Sequence, residues 1–332
     1  FNLMKILLIG AGAVGSVLLK YLSEDKNVSE IICASNDTKR AREFVETKNS
    51  KIRIVRLDAS NIRKIVNTAK GTDLIVNTSL PRFNENIMEA ALEVGANYQD
   101  LASEFPRSRF AEQLKFHKRF EQKKLVGLIN TGVAPGVTNL LAREAAEKLD
   151  QVNTIYLRLV EDQRASEMVF AWSRETTLEV LTSLPLVYRR GKFSYTKLFG
   201  DAEEYDFPHP FGRRRVFSIY GDEVATIPLF IKVKNVDFKS SGADIEFPMA
   251  LFRMGLFGEK PILVGGKKIV PLEVFKKLAP PIPSPAKMKQ LIKSGVIEDA
   301  SLVVAVEAVG RKRGKGATVK MSAVFPSLRQ IP

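Results

Sequence analysis

The sequence predicts an α/β fold: a doubly wound, parallel-stranded unit over residues 1–150, then an α+β unit with a mixed sheet over residues 151–332. Three observations predict it. A glycine-rich turn, Gly10-x-Gly12-x-x-Gly15, lies between an apolar strand and a helical pattern. Strand and helix patterns then alternate to about residue 150, as βαβ units with a parallel sheet do. Beyond that point the segments lengthen and alternate apolar with polar residues, as half-buried strands do.

The first strand is Ile6-Leu7-Leu8-Ile9, and the helix behind it carries Val14, Val17, Leu18, Tyr21 and Leu22. Ile31-Ile32-Cys33-Ala34 is the second strand, followed by a helix over 38–47. Ile52-Arg53-Ile54-Val55 is the third, with Ser60 as a candidate cap of the next helix. Leu74-Ile75-Val76 is the fourth, and the helix after Pro81 presents Ile87, Met88, Ala91 and Leu92. A short strand at Ala96-Asn97-Tyr98 precedes a long polar helix over 110–123, then a strand over 125–129. Pro135 suits the first position of the next helix, which is expected to bury Val137, Leu140, Leu141 and Ala145.

In the second unit, residues 152–160 and 168–172 read as strands, with a helix through Leu178 and Leu181. Residues 215–220 form another strand. Residues 302–309 and 317–325 form a hairpin whose turn is the basic run GRKRGKG. Helices at about 247–256 and 285–294 intervene, and Pro280-Pro281-Ile282-Pro283 is a rigid linker.

Composition narrows the function classes. The 45% apolar share is that of a folded globular protein. No apolar run approaches the roughly 18 residues of a membrane span, and the glycine-broken apolar stretch at Ile6 is not a signal peptide. Met4 is a candidate native start. The single cysteine, Cys33, excludes an intrachain disulfide and fits a reducing, cytoplasmic setting. The net charge of +14 is spread along the chain and clusters at Arg213–Arg215 and Arg311–Arg313. With no nucleic-acid motif, it reads as a solvated surface or a field that draws anionic ligands, and no nucleic-acid partner is expected.

The opening turn carries the clearest chemistry. Strand, G-x-G-x-x-G and helix in that order form the dinucleotide-binding (Rossmann) fingerprint. Gly10 allows the tight turn, Gly12 lets the backbone approach a pyrophosphate, and Gly15 lets helix and strand pack closely. Ala13 and Val14 open the helix whose unpaired N–H groups would meet the phosphates. At the end of the second strand, where an acidic residue selects NAD, stand Ala34, Ser35 and Asn36, then Asp37, Lys39 and Arg40. Small polar groups beside cations suit the 2′-phosphate of NADP. Asp37 keeps NAD open, although its place two residues late also fits a helix cap.

Further candidates lie at strand carboxyl ends, where open α/β sheets bind ligands. Asp58 either lies near the adenine or caps the next helix. Asn77, Thr78, Ser79 and Pro81 follow the fourth strand. Asp100 is a candidate proton acceptor or amine anchor, or else a helix cap. The run 130–139 follows the last strand. Of the two histidines, His117 lies in a Lys/Arg-rich helix and His209 between two prolines. Neither is a strong catalytic candidate. With so few His and Cys ligands no zinc site is expected, and no nucleophile elbow supports a Ser-His-Asp triad.

Five stretches together resemble the saccharopine dehydrogenase-like family, which includes saccharopine reductases and lysine 6-dehydrogenases. They are GAGAVG at 10–15, VNTSLPRFNENIMEAALEVGANYQDLA at 76–102, INTGVAPGVTNLLA at 129–142, FAWSRETTLEVLTSLPLVYRRGK at 170–192, and YGDEVATIPLF at 220–230 with FKSSGADI at 238–245. The resemblance implies an NAD(P)-dependent oxidoreductase of amino-acid C–N bonds. Its Rossmann unit would hold the cofactor, and its second unit would close on substrate and build a homodimer. It implies that Asn77, Ser79 and Pro81 flank the nicotinamide half, and that Asp100 and Asn130 face the reacting centre. Gly132, Pro135, Gly136 and Asn139 would shape the turn beside it, and Trp172 and Ser173 would line the substrate side. Arg174 and Arg213–Arg215 are candidate partners for substrate carboxylates, or surface charges.

There are two departures. Ala134 stands where saccharopine reductases often carry Asp, which moves the match toward the lysine-dehydrogenase-like branch. The chain also ends at Pro332, where many members continue. A dinucleotide-binding protein without chemistry is the competing reading, separated from the first by whether Asp100 and Asn130 form a usable site.

Overall fold

A computed structural model describes residues 3–45, 49–104 and 110–330. The chain divides into two compact units. The first comprises residues 1–136 with 171–176 and 283–286, and the second the remainder.

In the first unit the order is β1 (Met4–Ile9), α1 (Ala13–Glu24), β2 (Val28–Ser35), α2 (Thr38–Phe44), β3 (Ile52–Arg56), α3 (Ile62–Ala69), β4 (Leu74–Asn77), α4 (Asn84–Val94), β5 (Asn97–Asp100), α5 (His117–Gln122) and β6 (Gly127–Leu128). The six strands form one sheet in the order β3-β2-β1-β4-β5-β6, all paired in parallel. This is the dinucleotide-binding order, with its switch point between β1 and β4. Leu7, Ile9, Ile32, Ala34 and Ile75 pack with α3, α4, Phe116 and Phe120 on one face. Helices α1 and α2 lie against β1, β2 and β3 on the other. Register carries Ile9, Asn77 and Asp100 into one row across β1, β4 and β5.

Local expectations fail where packing decides. Helix α1 buries Gly15, Ser16, Leu19 and Ser23, while Val14 and Val17 are 44% and 56% exposed. A Cβ on Gly15 would lie 2.0 Å from the Gly10 carbonyl oxygen, so the helix rests on its small residues and its apolar stripe turns outward. Asn61, not Ser60, caps α3 by accepting from Lys64 N–H at 3.0 Å. The helix expected over 110–123 is a 3₁₀ turn, Glu112–Phe116, followed by α5. In that tighter coil Gln113 and Phe116, three residues apart, fall on one side, and both are buried. Part of the helix expected over 38–47 lies outside the described residues.

The second unit begins with α6 (Val137–Glu147), followed by β7 (Gln151–Ala165). Next come α7 (Arg174–Thr182), whose first turn groups with the first unit, β8 (Leu186–Arg189), β9 (Lys192–Tyr195), β10 (Glu203–Asp206) and β11 (Arg213–Ser218). They are followed by α8 (Glu223–Phe230), β12 (Asn235–Ser241), α9 (Ala243–Arg253), β13 (Ile262–Val264), β14 (Lys267–Ile269), α10 (Pro271–Leu278) and α11 (Pro285–Lys293). The hairpin β15 (Ile297–Lys312) and β16 (Lys315–Phe325) closes the unit.

The main sheet has eight strands in the order β10-β11-β12-β7-β15-β16, with β8 and β9 attached beside β12. It is mixed, because β12 and β7 are parallel while β7 and β15 are antiparallel. The β15–β16 hairpin runs in register from Leu302↔Phe325 to Lys312↔Lys315, and its basic turn is exposed. Residues 168–172 form no strand.

Helix α6, expected with the first unit, packs on β15, β16, β7 and α8 of the second. It does so through Thr138, Ala142, Ala145 and Ala146. Small residues allow close approach to the sheet, and Leu140 is left 72% exposed. On the sheet Arg158 is 1% exposed, donating to Asp237 Oδ1 at 2.7 Å and from Nε to Glu203 Oε1 at 2.9 Å.

Candidate active site at the strand ends

The glycine turn has the geometry its sequence requires. Gly10 adopts φ +112°, and a Cβ there would lie 2.5 Å from Ser79 N. The Thr78 hydroxyl donates to the Gly10 carbonyl at 2.6 Å and so locks the turn to the end of β4. Gly12 is the N-cap of α1 with φ −88°, and no side chain caps this helix. A Cβ on Gly12 would meet nothing within 4 Å. This open cradle, beside uncapped N–H groups that include those of Ala13 and Val14, fits a diphosphate.

At the end of β2 the Ser35 hydroxyl and Asp37 backbone hydrogen-bond each other. The Asp37 carboxylate accepts from Arg40 N–H at 3.0 Å, so it is the N-cap of α2. Asn36, Lys39 and Arg40 are exposed. Asp58 does not cap α3. Its Oδ1 accepts from the Ser60 backbone N–H at 2.9 Å and hydroxyl at 2.7 Å, and these bonds hold the carboxyl below its usual range.

The ends of β4 and β5 share a buried polar network. Asn77 Oδ1 accepts from Ser79 N–H at 2.9 Å and from the Ser79 hydroxyl at 2.6 Å. Its Nδ2 donates to Asn84 Oδ1 at 2.7 Å, and Asn84 Nδ2 donates to Glu112 Oε1 at 2.7 Å. Pro81 is buried in the turn between β4 and α4. Asp100 is 1% exposed and caps no helix. Its Oδ2 accepts from the Tyr98 hydroxyl at 2.9 Å and from Gln113 Nε2 at 3.0 Å, and its Oδ1 accepts from Asn130 N–H at 2.8 Å. Burial raises its pKa to about 7 against these three donors, which favour the ionised form. A carboxyl poised there can accept or release a proton near neutrality.

Asn130 adopts φ +58° just past β6. Its Oδ1 accepts from the Ser103 hydroxyl at 3.1 Å, and its buried Nδ2 has no hydrogen-bond partner among the described residues. Gly132 and Gly136 pair as a β-bridge. A Cβ on Gly136 would lie 2.1 Å from the Gly132 carbonyl oxygen. The Ala134–Pro135 bond is cis and Gly136 has φ +131°, a value no right-handed helix accommodates, so the helix starts at Val137 and not at Pro135.

Asn139 lies on α6 of the second unit, and its Nδ2 donates to the Thr226 hydroxyl at 3.1 Å. Half-buried Trp172 and Ser173 precede α7, and Ser173 Oγ accepts from Thr176 N–H at 3.2 Å. Arg214 faces Asp162 at 3.6 Å, while His117 and His209 are exposed.

Sequence reasoning missed Gln113, Asn84 and Glu112. The available signal was a polar residue inside an apolar stripe: Gln113 is in step with Phe116 and Phe120, and Asn84 with Ile87, Met88 and Ala91.

Residues 6–128 match the family model for the saccharopine dehydrogenase NADP-binding domain. Carboxynorspermidine synthase of Vibrio cholerae is 26% identical over 304 residues, covering 83% of this chain and 73% of that protein. The chain is similar to proteins of the saccharopine dehydrogenase-like family, by the family model over its first unit and by this relative over most of its length.

Carboxyaminopropylagmatine dehydrogenase of Synechocystis is a further relative, 25% identical over 305 residues, with coverage of 86% and 74%. Saccharopine dehydrogenase (L-Glu forming) of Saccharomyces cerevisiae shares the fold at TM-score 0.67 and 12% identity, covering 97% of this chain and 85% of that one. Homospermidine synthase of Legionella pneumophila, solved with NAD, does so at TM-score 0.64 and 13% identity, with coverage of 96% and 77%. The matched family model is that of an NADP-binding domain, and it spans the glycine turn and the strand ends described above. No helix among the described residues is long and apolar enough to cross a membrane.

Proposed function

We propose that the protein transfers hydride at the C–N bond of an amino acid or carboxylated amine, with Asp100 exchanging the amine proton. The observation that carries this reading is the buried Asp100 carboxyl, in the strand-end row that runs through Asn77 to Ile9, the residue before the glycine turn. The names of the two relatives place carboxylated polyamine-type compounds beside saccharopine and lysine as substrates to test.

Gly10, Gly12, Ala13, Val14 and Gly15 would hold the diphosphate. Asn77, Thr78, Ser79 and Pro81 would flank the nicotinamide half, and Asp58 would approach the adenine. When bound, the dinucleotide supplies or accepts the hydride. An amine can release hydride from its carbon only when its nitrogen is neutral, so a proton leaves first. Ionised Asp100 accepts it directly or through a water, and returns it in the reductive direction. Asn130 Nδ2 is a buried donor with no partner among the described residues and offers a hydrogen bond to a substrate or nicotinamide oxygen. Gly132, Pro135 and Gly136 hold Asn130 beside that centre, and Trp172 and Ser173 line the substrate side.

NADP is the proposed cofactor. Asp37 is committed to capping α2, which leaves Ser35 and Asn36 with the Lys39 and Arg40 cations for a 2′-phosphate. The second unit is proposed to serve substrate binding and homodimerisation in the cytoplasm, and a solution mass of one chain would contradict the dimer.

The test follows nicotinamide absorbance with NADP(H) and NAD(H) across amino acids, diamines and amine–carbonyl pairs. Turnover that Asp100→Asn removes supports the reaction. Cofactor binding without turnover on any pair sinks it and leaves a dinucleotide-binding protein.

A further inference from the structure

Gln113 joins two strand ends with one amide. It is 1% exposed on the 3₁₀ turn Glu112–Phe116. Its Nε2 donates to Asp100 Oδ2 at 3.0 Å and to the Ala102 carbonyl at 3.3 Å, and lies 3.4 Å from Asn130 Oδ1. Its Oε1 is 3.1 Å from the Ser103 hydroxyl, which also reaches Asn130 Oδ1 at 3.1 Å. An amide presents two donors on one side and an acceptor on the other. Turned over, Gln113 would set its oxygen against the Asp100 carboxylate, acceptor against acceptor. The Ser103 hydroxyl and Gln113 amide likewise meet Asn130 at its oxygen, which leaves the Asn130 nitrogen as a donor with no partner among the described residues.

We propose that Gln113 is a positioning residue of the active site: its single amide orients Asp100 as the proton acceptor and Asn130 as the hydrogen-bond donor. This rests on the reading of Asp100 given above. Among the described residues the groups facing Asp100 are few. Tyr98 on β5 donates its hydroxyl, Asn130 past β6 donates its N–H, and the 3₁₀ turn brings the Gln113 amide and the Glu112 carboxyl. Tyr98 also links Asp100 to Asn84 of α4, at 3.1 Å. Gln113 is therefore one of three donors to the ionised carboxylate, and the Glu112 charge opposes that form. Losing Gln113 moves the Asp100 midpoint upward.

The experiment compares wild type with Gln113→Leu, which removes the donor, and Gln113→Glu, which keeps the shape but adds a second carboxyl. The carboxyl of Asp100 is followed by ¹³C NMR in aspartate-labelled full-length protein, its resonance identified by its loss in Asp100→Asn. Both variants are expected to lose the last carboxyl proton at a pH higher by about one unit or more. In amine oxidation, kcat/KM should fall about tenfold below the midpoint and recover at alkaline pH. A loss equal at every pH, or an unmoved Asp100 midpoint, overturns the proposal. Should Gln113→Leu fail to fold, Gln113→Glu decides alone. Absence of turnover in wild type would sink the proposed reaction but leave the NMR outcome readable on its own.

Discussion

Asn130 N–H donates to Asp100 Oδ1 at 2.8 Å, so a residue in the left-handed region just past β6 supplies one of the three bonds that hold the carboxylate at the end of β5. Backbone shape and proton chemistry meet in that bond. The positive φ aims the N–H at Asp100, and the Gly132–Gly136 bridge a few residues on holds the turn that keeps it there.

Asp100→Asn should lower kcat/KM by about 10² to 10⁴, the usual contribution of a positioned acid–base group. Cofactor affinity measured by NADPH fluorescence should change little. A loss confined to cofactor affinity would instead make Asp100 a binding residue.

Two glycines of one turn should fail differently. Gly12→Val places atoms in open space, so melting should be nearly unchanged while NADPH affinity falls at least about a hundredfold, near 2.7 kcal/mol. Gly15→Ala drives a Cβ to 2.0 Å from the Gly10 carbonyl oxygen, so it should lower the melting temperature itself. Unchanged NADPH titration in Gly12→Val would remove the phosphate-loop assignment.

Cofactor choice should respond to charge at the end of β2. Arg40→Glu should shift the NADP:NAD ratio of kcat/KM toward NAD by about tenfold or more, or 1.4 kcal/mol per tenfold. The Arg40 backbone N–H, which donates to the Asp37 carboxylate, is unaffected by this change. An unaltered ratio would show that the cation lies away from the ribose.

Glu223 is fully buried at the start of α8, where burial raises its pKa from 4.5 to about 7 although the Thr138 hydroxyl donates to Oε1 at 2.6 Å. The folded state thus binds the proton more tightly than the unfolded chain. The cost is absent below about pH 4, grows as pH rises from there to about 7, and is full above. Glu223→Gln, neutral at every pH, should therefore stabilise the protein at pH 8 by up to about 3 kcal/mol. The gain should vanish near pH 4 in a denaturant series, and a gain constant with pH would mean that Glu223 has the same pKa in the folded and unfolded chain.

Much of this was legible from residue order. The β1–turn–α1 unit, the alternation behind the sheet, Asp37 as a helix cap and the terminal hairpin all follow from neighbours a few positions apart. Errors fell where a partner is distant. The inward face of α6 is misplaced at Leu140, because that helix packs through small residues, Ala142, Ala145 and Ala146. Apolar periodicity counts large side chains and overlooks close approach. The 3₁₀ turn at Glu112–Phe116 was read as helix because its register is set by Gln113 reaching Asp100, thirteen residues away.

By itself the amino-acid order determined the glycine turn and the parallel α/β class, because turn geometry and strand or helix periodicity are fixed by adjacent residues. Tertiary structure alone decided that Asp100 sits dry among Tyr98, Gln113 and Asn130, and that Asn84 and Glu112 stand behind them. Desolvation and hydrogen-bond pairing depend on which distant side chains the sheet gathers, and no local pattern encodes that company.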